Sequence, residues 1–153
     1  MEDVINAFYE AFKAKDGDKM ASFYHEEIEF TDPAFGTLKG ERAKNMWRML
    51  TQNARDLEVE TSNISCSEDK GTAHWEAKYT FSQSGRSVHN KIDAQFEFKD
   101  GKIIRHIDTF NLHKWAKQAL GFKGWLIGGT SFFKKKLNAQ TNRLLDKFEK
   151  QNG

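Results

Sequence analysis

The chain has 153 residues, which fits one domain spanning 1–153. Its net charge of +2 is too small to imply nucleic acid, and its single cysteine excludes an internal disulfide framework and a cysteine zinc set. No apolar run approaches the roughly 18 residues of a membrane span, and the first residues hold no apolar leader, so the expectation is a cytoplasmic protein with no membrane partner.

Residues 2–15 place Val4, Ile5, Phe8, Tyr9 and Phe12 at helical spacing, and Gly17 ends that helix. Asp18 can cap a second short helix carrying Met20, Phe23 and Tyr24. Ile28 and Phe30 alternate with Glu27 and Glu29, which predicts a strand of about five residues. Pro33 stops it, because proline lacks the donor that a ladder needs. Residues 34–39 read as a loop containing Gly36, and a third helix over 41–53 puts Ala43, Met46, Trp47 and Leu50 on one stripe.

The period then changes from helical to alternating. Strands are predicted over 56–66, 72–83, 87–98 and 103–110, separated by turns at Glu68-Asp69-Lys70-Gly71, 82–85 and Lys99-Asp100-Gly101. Helices first and a meander of hairpins after them predict an α+β fold. A short helix follows over 112–120. Residues 121–129 read as a glycine-broken apolar loop, and 131–149 as a helix with Phe133, Leu137, Gln140, Leu144 and Phe148 along one side. Residues 132–153 hold six basic groups against two acidic ones, which reads as a solvated helix face.

Strand alternation sorts the candidate site residues. In 103–110 it groups Ile104, His106, Asp108 and Phe110 on one face, with Ile103 opposite. His106 and Asp108 then point the same way, roughly 6–7 Å apart along the strand. Such a pair either handles a proton or makes a structural hydrogen bond. In 72–83 the inner face holds Trp75, Ala77, Tyr79 and Phe81. In 87–98 it holds Val88, Asn90, Ile92, Ala94, Phe96 and Phe98, which turns Asp93 outward. Tyr9, Phe35, Trp47, Trp75, Tyr79, Asn90 and Phe110 thus line the predicted interior. A few convergent polar groups in an aromatic wall describe a pocket for a small, largely apolar or aromatic molecule.

Asp32 closes the first strand where it can join that interior. A carboxyl among rings has its charged form disfavoured, so it is matched to proton abstraction near neutral pH or, kept neutral, to hydrogen-bonding an oxyanion. The alternative is that Asp32 merely caps its turn through the backbone. A facial metal triad on His106 and Asp108 lacks a third ligand at matching spacing, and no metal or other cofactor is expected.

Taken in order, Phe8-Tyr9-x-Ala11-Phe12, Gly17-Asp18, Phe23-Tyr24-His25, Phe30-Thr31-Asp32-Pro33, Gly40, Phe96-x-Phe98-x-Asp100-Gly101-Lys102-Ile103 and His106-x-Asp108 resemble the nuclear transport factor 2-like superfamily, also called the SnoaL-like fold. The resemblance covers about residues 2–115 and leaves 116–150 as a C-terminal helical extension. It implies a cone, a strongly curved, mainly antiparallel sheet around N-terminal helices, and homodimers through the outer sheet face. It also implies isomerase, cyclase or hydrolase chemistry, or ligand binding and scaffolding without catalysis. Asp32 matches the position of the base in the steroid isomerases. Their second acid falls at Ala94, and their oxyanion tyrosine falls at or beside Glu10, one position from Tyr9. Asp108 or His106 matches the single acid of the cyclases. A third reading, a protein-interaction module, rests on the basic helix 131–149.

Overall fold

The computed structural model describes residues 1–152. Two helices open the chain. Helix α1 (Glu2–Lys13) buries Ile5, Phe8, Tyr9, Ala11 and Phe12, a stripe set by their 3–4 spacing, and α2 (Gly17–Ser22) is capped by the Asp16 carboxylate, which accepts from the Lys19 N–H at 3.0 Å. The cap is therefore Asp16 and not Asp18.

Strand β1 runs over Tyr24–Asp32, nine residues rather than five. Tyr24, placed in the second helix by its spacing, instead begins this strand, and it is fully buried. The segment after Pro33 is not all loop. Gly36 takes a positive φ of 76°, which lets the chain reverse, and β2 (Gly36–Lys39) returns along β1 with Thr31 opposite Thr37. Helix α3 (Glu41–Asn53) follows, burying Ala43, Met46, Trp47 and Met49.

The meander β3 (Glu58–Ser67), β4 (Lys70–Phe81), β5 (Arg86–Lys99) and β6 (Lys102–Thr109) is antiparallel throughout. Its last hairpin turns on Asp100 and Gly101, both at positive φ, the geometry that an Asp-Gly pair favours in a two-residue turn. β6 then pairs in parallel with β1, giving one six-stranded sheet in the order β2-β1-β6-β5-β4-β3. The sheet is curved, mixed and unclosed, and α1 and α3 fill its concave side. This is the α+β cone.

One register shift matters for the site. Glu97 pairs with Arg105 but Phe98 with Ile103, so Ile104 is an extra residue on β6. The bulge moves Ile103 to the inner face, fully buried, and leaves Ile104 only half-buried on the other side. Strict alternation put Ile104 inside with His106; the bulge reverses that placement and keeps His106 and Asp108 inward.

The extension is helical. Helix α4 (Leu112–Leu120) is capped by Asn111, whose side chain accepts from the Lys114 N–H. The glycine-rich stretch forms a short helix, α5 (Phe122–Ile127), and α6 (Ser131–Asn152) ends the described chain. α6 buries Phe133 and Leu145, and half-buries Leu137 and Phe148; Leu144 stands 47% exposed. The buried stripe thus passes through Leu145, not Leu144.

Candidate functional site

The inner end of the cone is built by four elements. β1 brings Tyr24 and Asp32, α3 brings Trp47, β4 brings Trp75, and β6 brings His106 and Asp108. His106 is fully buried and Asp108 is 3% exposed, both inside an apolar shell. The imidazole lies between Phe96, with ring centroids 4.4 Å apart, Phe30 at 5.0 Å and Trp47, whose indole is nearly parallel to it.

Buried polar atoms in such a shell need partners. Here they form one chain. The Trp47 indole N–H donates to the Tyr24 hydroxyl at 2.8 Å, and Tyr24 Oη lies 2.7 Å from His106 Nδ1. His106 Nε2 lies 2.9 Å from Asp108 Oδ1, which also accepts from the Trp75 indole at 3.3 Å. Donor counting assigns the protons. The Tyr24 hydroxyl proton goes to His106 Nδ1, and His106 carries its own proton on Nε2, donated to the Asp108 carboxylate. Every donor in the chain points toward Asp108.

Asp32 lies at the rim of this interior. Its Oδ1 accepts from the Ala34 N–H at 3.0 Å and the Phe35 N–H at 2.7 Å, which is the turn cap anticipated as the alternative role. Oδ2 accepts no hydrogen bond from any described residue. Burial, with the charge on Asp108 adding to it, raises the Asp32 carboxyl from 3.8 to about 7 against the lowering effect of the two backbone donors. Capping and a raised carboxyl therefore coexist on one side chain.

Tyr9 has a fully buried hydroxyl, and it is the one buried side-chain polar atom without a partner among the described residues. Burial, then the neighbouring Asp108 and Tyr24, hold its phenol well above 10. Tyr9 packs against Trp75, and Phe35 closes the Asp32 turn at 7% exposure. Asp32, His106, Asp108, Tyr9, Phe35, Trp47 and Trp75 thus share one interior.

The other lining candidates lie further along the sheet. Tyr79 is half-buried and its hydroxyl accepts from the Trp115 indole at 2.8 Å, so it serves a second cluster under α4. Phe110 packs between the two clusters, and Asn90 sits half-buried opposite Ala77. Sequence reasoning missed Tyr24 as the link between Trp47 and His106. The signal was present in the apolar Phe23-Tyr24 ahead of Ile28, but helical spacing absorbed it.

The C-terminal helix covers the Asp32 turn. Asn138 donates to the carbonyls of Pro33 and Ala34, Thr141 to that of Ala34, and Asn142 to that of Phe35. Arg42 of α3 holds Asn142, Asp146 and Glu149. Two open clefts, of about 700 Å³ and 430 Å³, lie on the outside, and neither is lined by Asp32, His106 or Asp108.

On the outer sheet face, His74 bonds Glu76 and Asp93, and His89 bonds Glu76, confirming that Asp93 turns outward. No group of three or more His, Cys, Asp or Glu among the described residues is arranged to hold a metal ion. No described helix is long and apolar enough to cross a membrane.

Comparison with known proteins places this geometry among relatives. The SnoaL-like domain model matches residues 5–106. The structure is similar to an LEH-like epoxide hydrolase of M. tuberculosis, at 20% identity over 82% of this chain and 88% of the other, with a TM-score of 0.62. It is similar to an NTF2-like protein of unknown function from Burkholderia pseudomallei, at 16% identity over 77% and 95%, with a TM-score of 0.67. A candidate SnoaL-like polyketide cyclase from Jannaschia matches at 14% identity over 76% and 88%, with a TM-score of 0.66. At these identities the likeness is one of fold. Among curated proteins, none matches the chain.

Proposed function

Since the chain belongs to the SnoaL-like domain family, we propose that it binds a small, largely apolar molecule at the Asp32 end of the cone and acts on it by proton transfer, as an isomerase, cyclase or hydrolase. The observation that carries this reading is the Asp32 carboxyl, held at about 7 by burial, with Oδ2 free and Asp108 close enough to raise it. A carboxylate of that basicity is matched to removing a proton from carbon beside a carbonyl, or from water attacking an epoxide, near neutral pH. In either case Asp32 Oδ2 takes the proton and returns it to the product. The Asp108–His106–Tyr24–Trp47 chain sits behind it as a fixed dipole array, and the Tyr9 hydroxyl is a donor with nothing yet to donate to. The neighbours named as an epoxide hydrolase and a polyketide cyclase support the reaction class through fold alone.

The second reading is a non-catalytic binding or dimeric scaffold protein. It is favoured by the Asp32 Oδ1 cap and by the ring packing around His106, both of which serve structure. The proposed dimer uses the outer sheet face, where the His74, Glu76, His89 and Asp93 side chains lie.

Mass spectrometry of the protein as purified, under native conditions, identifies a retained small molecule and the oligomeric mass together. With that compound class in hand, turnover by the parent protein is compared with Asp32→Asn. Turnover that rises through pH 7 and disappears in the variant, with binding retained, supports catalysis. Binding equal in both and no turnover in either establishes the scaffold reading.

A further inference from the structure

Helix α5 is built inside out. Its small residues face the protein: Gly124 is buried against α4 so closely that a Cβ there would lie 1.9 Å from the Ala116 carbonyl oxygen. Just past its end, Gly128 meets the Ala116 side chain in the same way. With glycines occupying the inner face, the large apolar residues point outward. Phe122 is 73% exposed, Trp125 49% and Leu126 57%, at the i, i+3 and i+4 positions of one face. The first two rings stack on each other at 5.8 Å. Helices of globular proteins normally do the reverse, so the exposure follows from the packing and is not a loose end.

The surrounding charge has one sign. From Thr109 to Leu145 the sequence holds seven basic residues and no acid. Lys123 lies on α5 itself. Arg86 and Lys117 border, with Gly121, Phe122 and Trp125, an open cleft of about 430 Å³. Lys114 and Lys117 are exposed on α4, against which α5 packs.

We propose that the Phe122, Trp125 and Leu126 face, with its basic border, adsorbs to a bilayer carrying anionic lipid headgroups. The rings and Leu126 enter the boundary between headgroups and acyl chains, and the lysines stay in the headgroup layer. This is a surface contact, distinct from a membrane span, and it revises the expectation of no membrane partner drawn from the sequence. Charge decides against a second copy as the occupant, because a pair of these faces would oppose basic groups without acids between them. A nucleic acid is disfavoured because Phe122 and Trp125 already stack on one another and Leu126 offers a base no ring.

The test uses the full chain and vesicles of phosphatidylcholine, alone or mixed with phosphatidylglycerol, in a sedimentation assay. The protein is expected to pellet with the mixed vesicles, to stay in solution with phosphatidylcholine alone, and to be released by high salt. Brominated acyl chains should quench tryptophan emission in the parent protein and not in Trp125→Ser. Phe122→Ser with Leu126→Ser, and separately Lys117→Glu with Lys123→Glu, should each weaken binding by roughly tenfold or more without changing the circular dichroism spectrum. Equal recovery with and without the anionic lipid overturns the proposal, as does binding indifferent to both variant pairs. So does a native mass that halves in the Phe122→Ser, Leu126→Ser variant, which would assign the face to a second copy. Displacement from vesicles by a single-stranded oligonucleotide at low concentration would assign it to nucleic acid.

Discussion

At the scale of single residues, two tyrosines and one aspartate separate what holds the interior together from what waits in it. Tyr24 Oη is bonded on both sides, to Trp47 and to His106. Tyr9 Oη is equally buried and bonded to nothing described. Tyr24→Phe therefore strands an indole N–H and an imidazole nitrogen in the core, and should lower unfolding stability by about 2 kcal/mol or more. Tyr9→Phe removes a hydroxyl that was never satisfied, and should be neutral or stabilising. Urea unfolding of both variants checks the contrast, and equal losses would contradict the assigned network. Asp32 gives a prediction in pH. Its folded-state value of about 7 stands above the 3.8 of an unperturbed carboxyl, so between those values the folded chain binds more protons than the unfolded one. Stability from this group is then highest below about pH 4, falls as pH rises through about 7, and stays lower above it. Asp32→Asn keeps an oxygen for the Ala34 and Phe35 donors and removes the charge. It should be the more stable protein at pH 8, by on the order of a few kcal/mol, with a flatter profile between pH 4 and 7.

At the scale of elements, helix α6 shows how one residue of phase changes a reading. Hydrophobic spacing admits either Leu144 or Leu145 on its buried side. The structure chooses Leu145 because Asn138, Thr141 and Asn142 must face the carbonyls of residues 33–35, and Leu145 follows Thr141 by one turn. Polar side chains aimed at a loop thus set the phase, and apolar periodicity carries no record of them. Leu145→Ala should cost about 2–5 kcal/mol and Leu144→Ala within about 0.5 kcal/mol, as read by denaturant midpoints. The same limit explains the other differences. The order of helices and strands, the Asp100-Gly101 turn and the shared face of His106 and Asp108 were legible because each rests on local spacing. The Ile104 bulge was not, since it is set by how β6 meets β5 and β1 at once. Strand β2 was hidden because it is short and exists through its pairing with β1. α5 was hidden because glycines, which argue against a helix by propensity, are there required by contact with Ala116. For the candidate site, residue types and faces were readable, the His106–Asp108 pair among them, but the bond from Tyr24 to His106 depends on a parallel β1–β6 pairing that no local pattern announces.

At the scale of the whole molecule, α6 spans two hydrophobic clusters that otherwise meet only at partly buried residues. Phe133 and Leu137 belong to the cluster under α4, with Val88 and Trp115, while Leu145 and Phe148 belong to the main core of the cone. Between those anchors the contact is polar, with three side chains on backbone carbonyls, and alongside the second anchor Arg42 holds Asp146 and Glu149. Few apolar contacts and many solvent-accessible hydrogen bonds are the marks of an element that opens before the rest. Strand β5, paired on both sides along most of its length, sits at the opposite extreme. Native-state hydrogen exchange should therefore find the α6 amides opening at lower free energy than those of β5. Asn142→Ala, which removes the bond to Phe35 and a partner of Arg42, should speed α6 exchange by roughly tenfold. The β5 amides should be much less affected, because local opening of α6 leaves the sheet ladder intact. If Asn142→Ala instead accelerated both sets equally, α6 would unfold only together with the cone, and the helix over the Asp32 turn would be as permanent as the sheet beneath it.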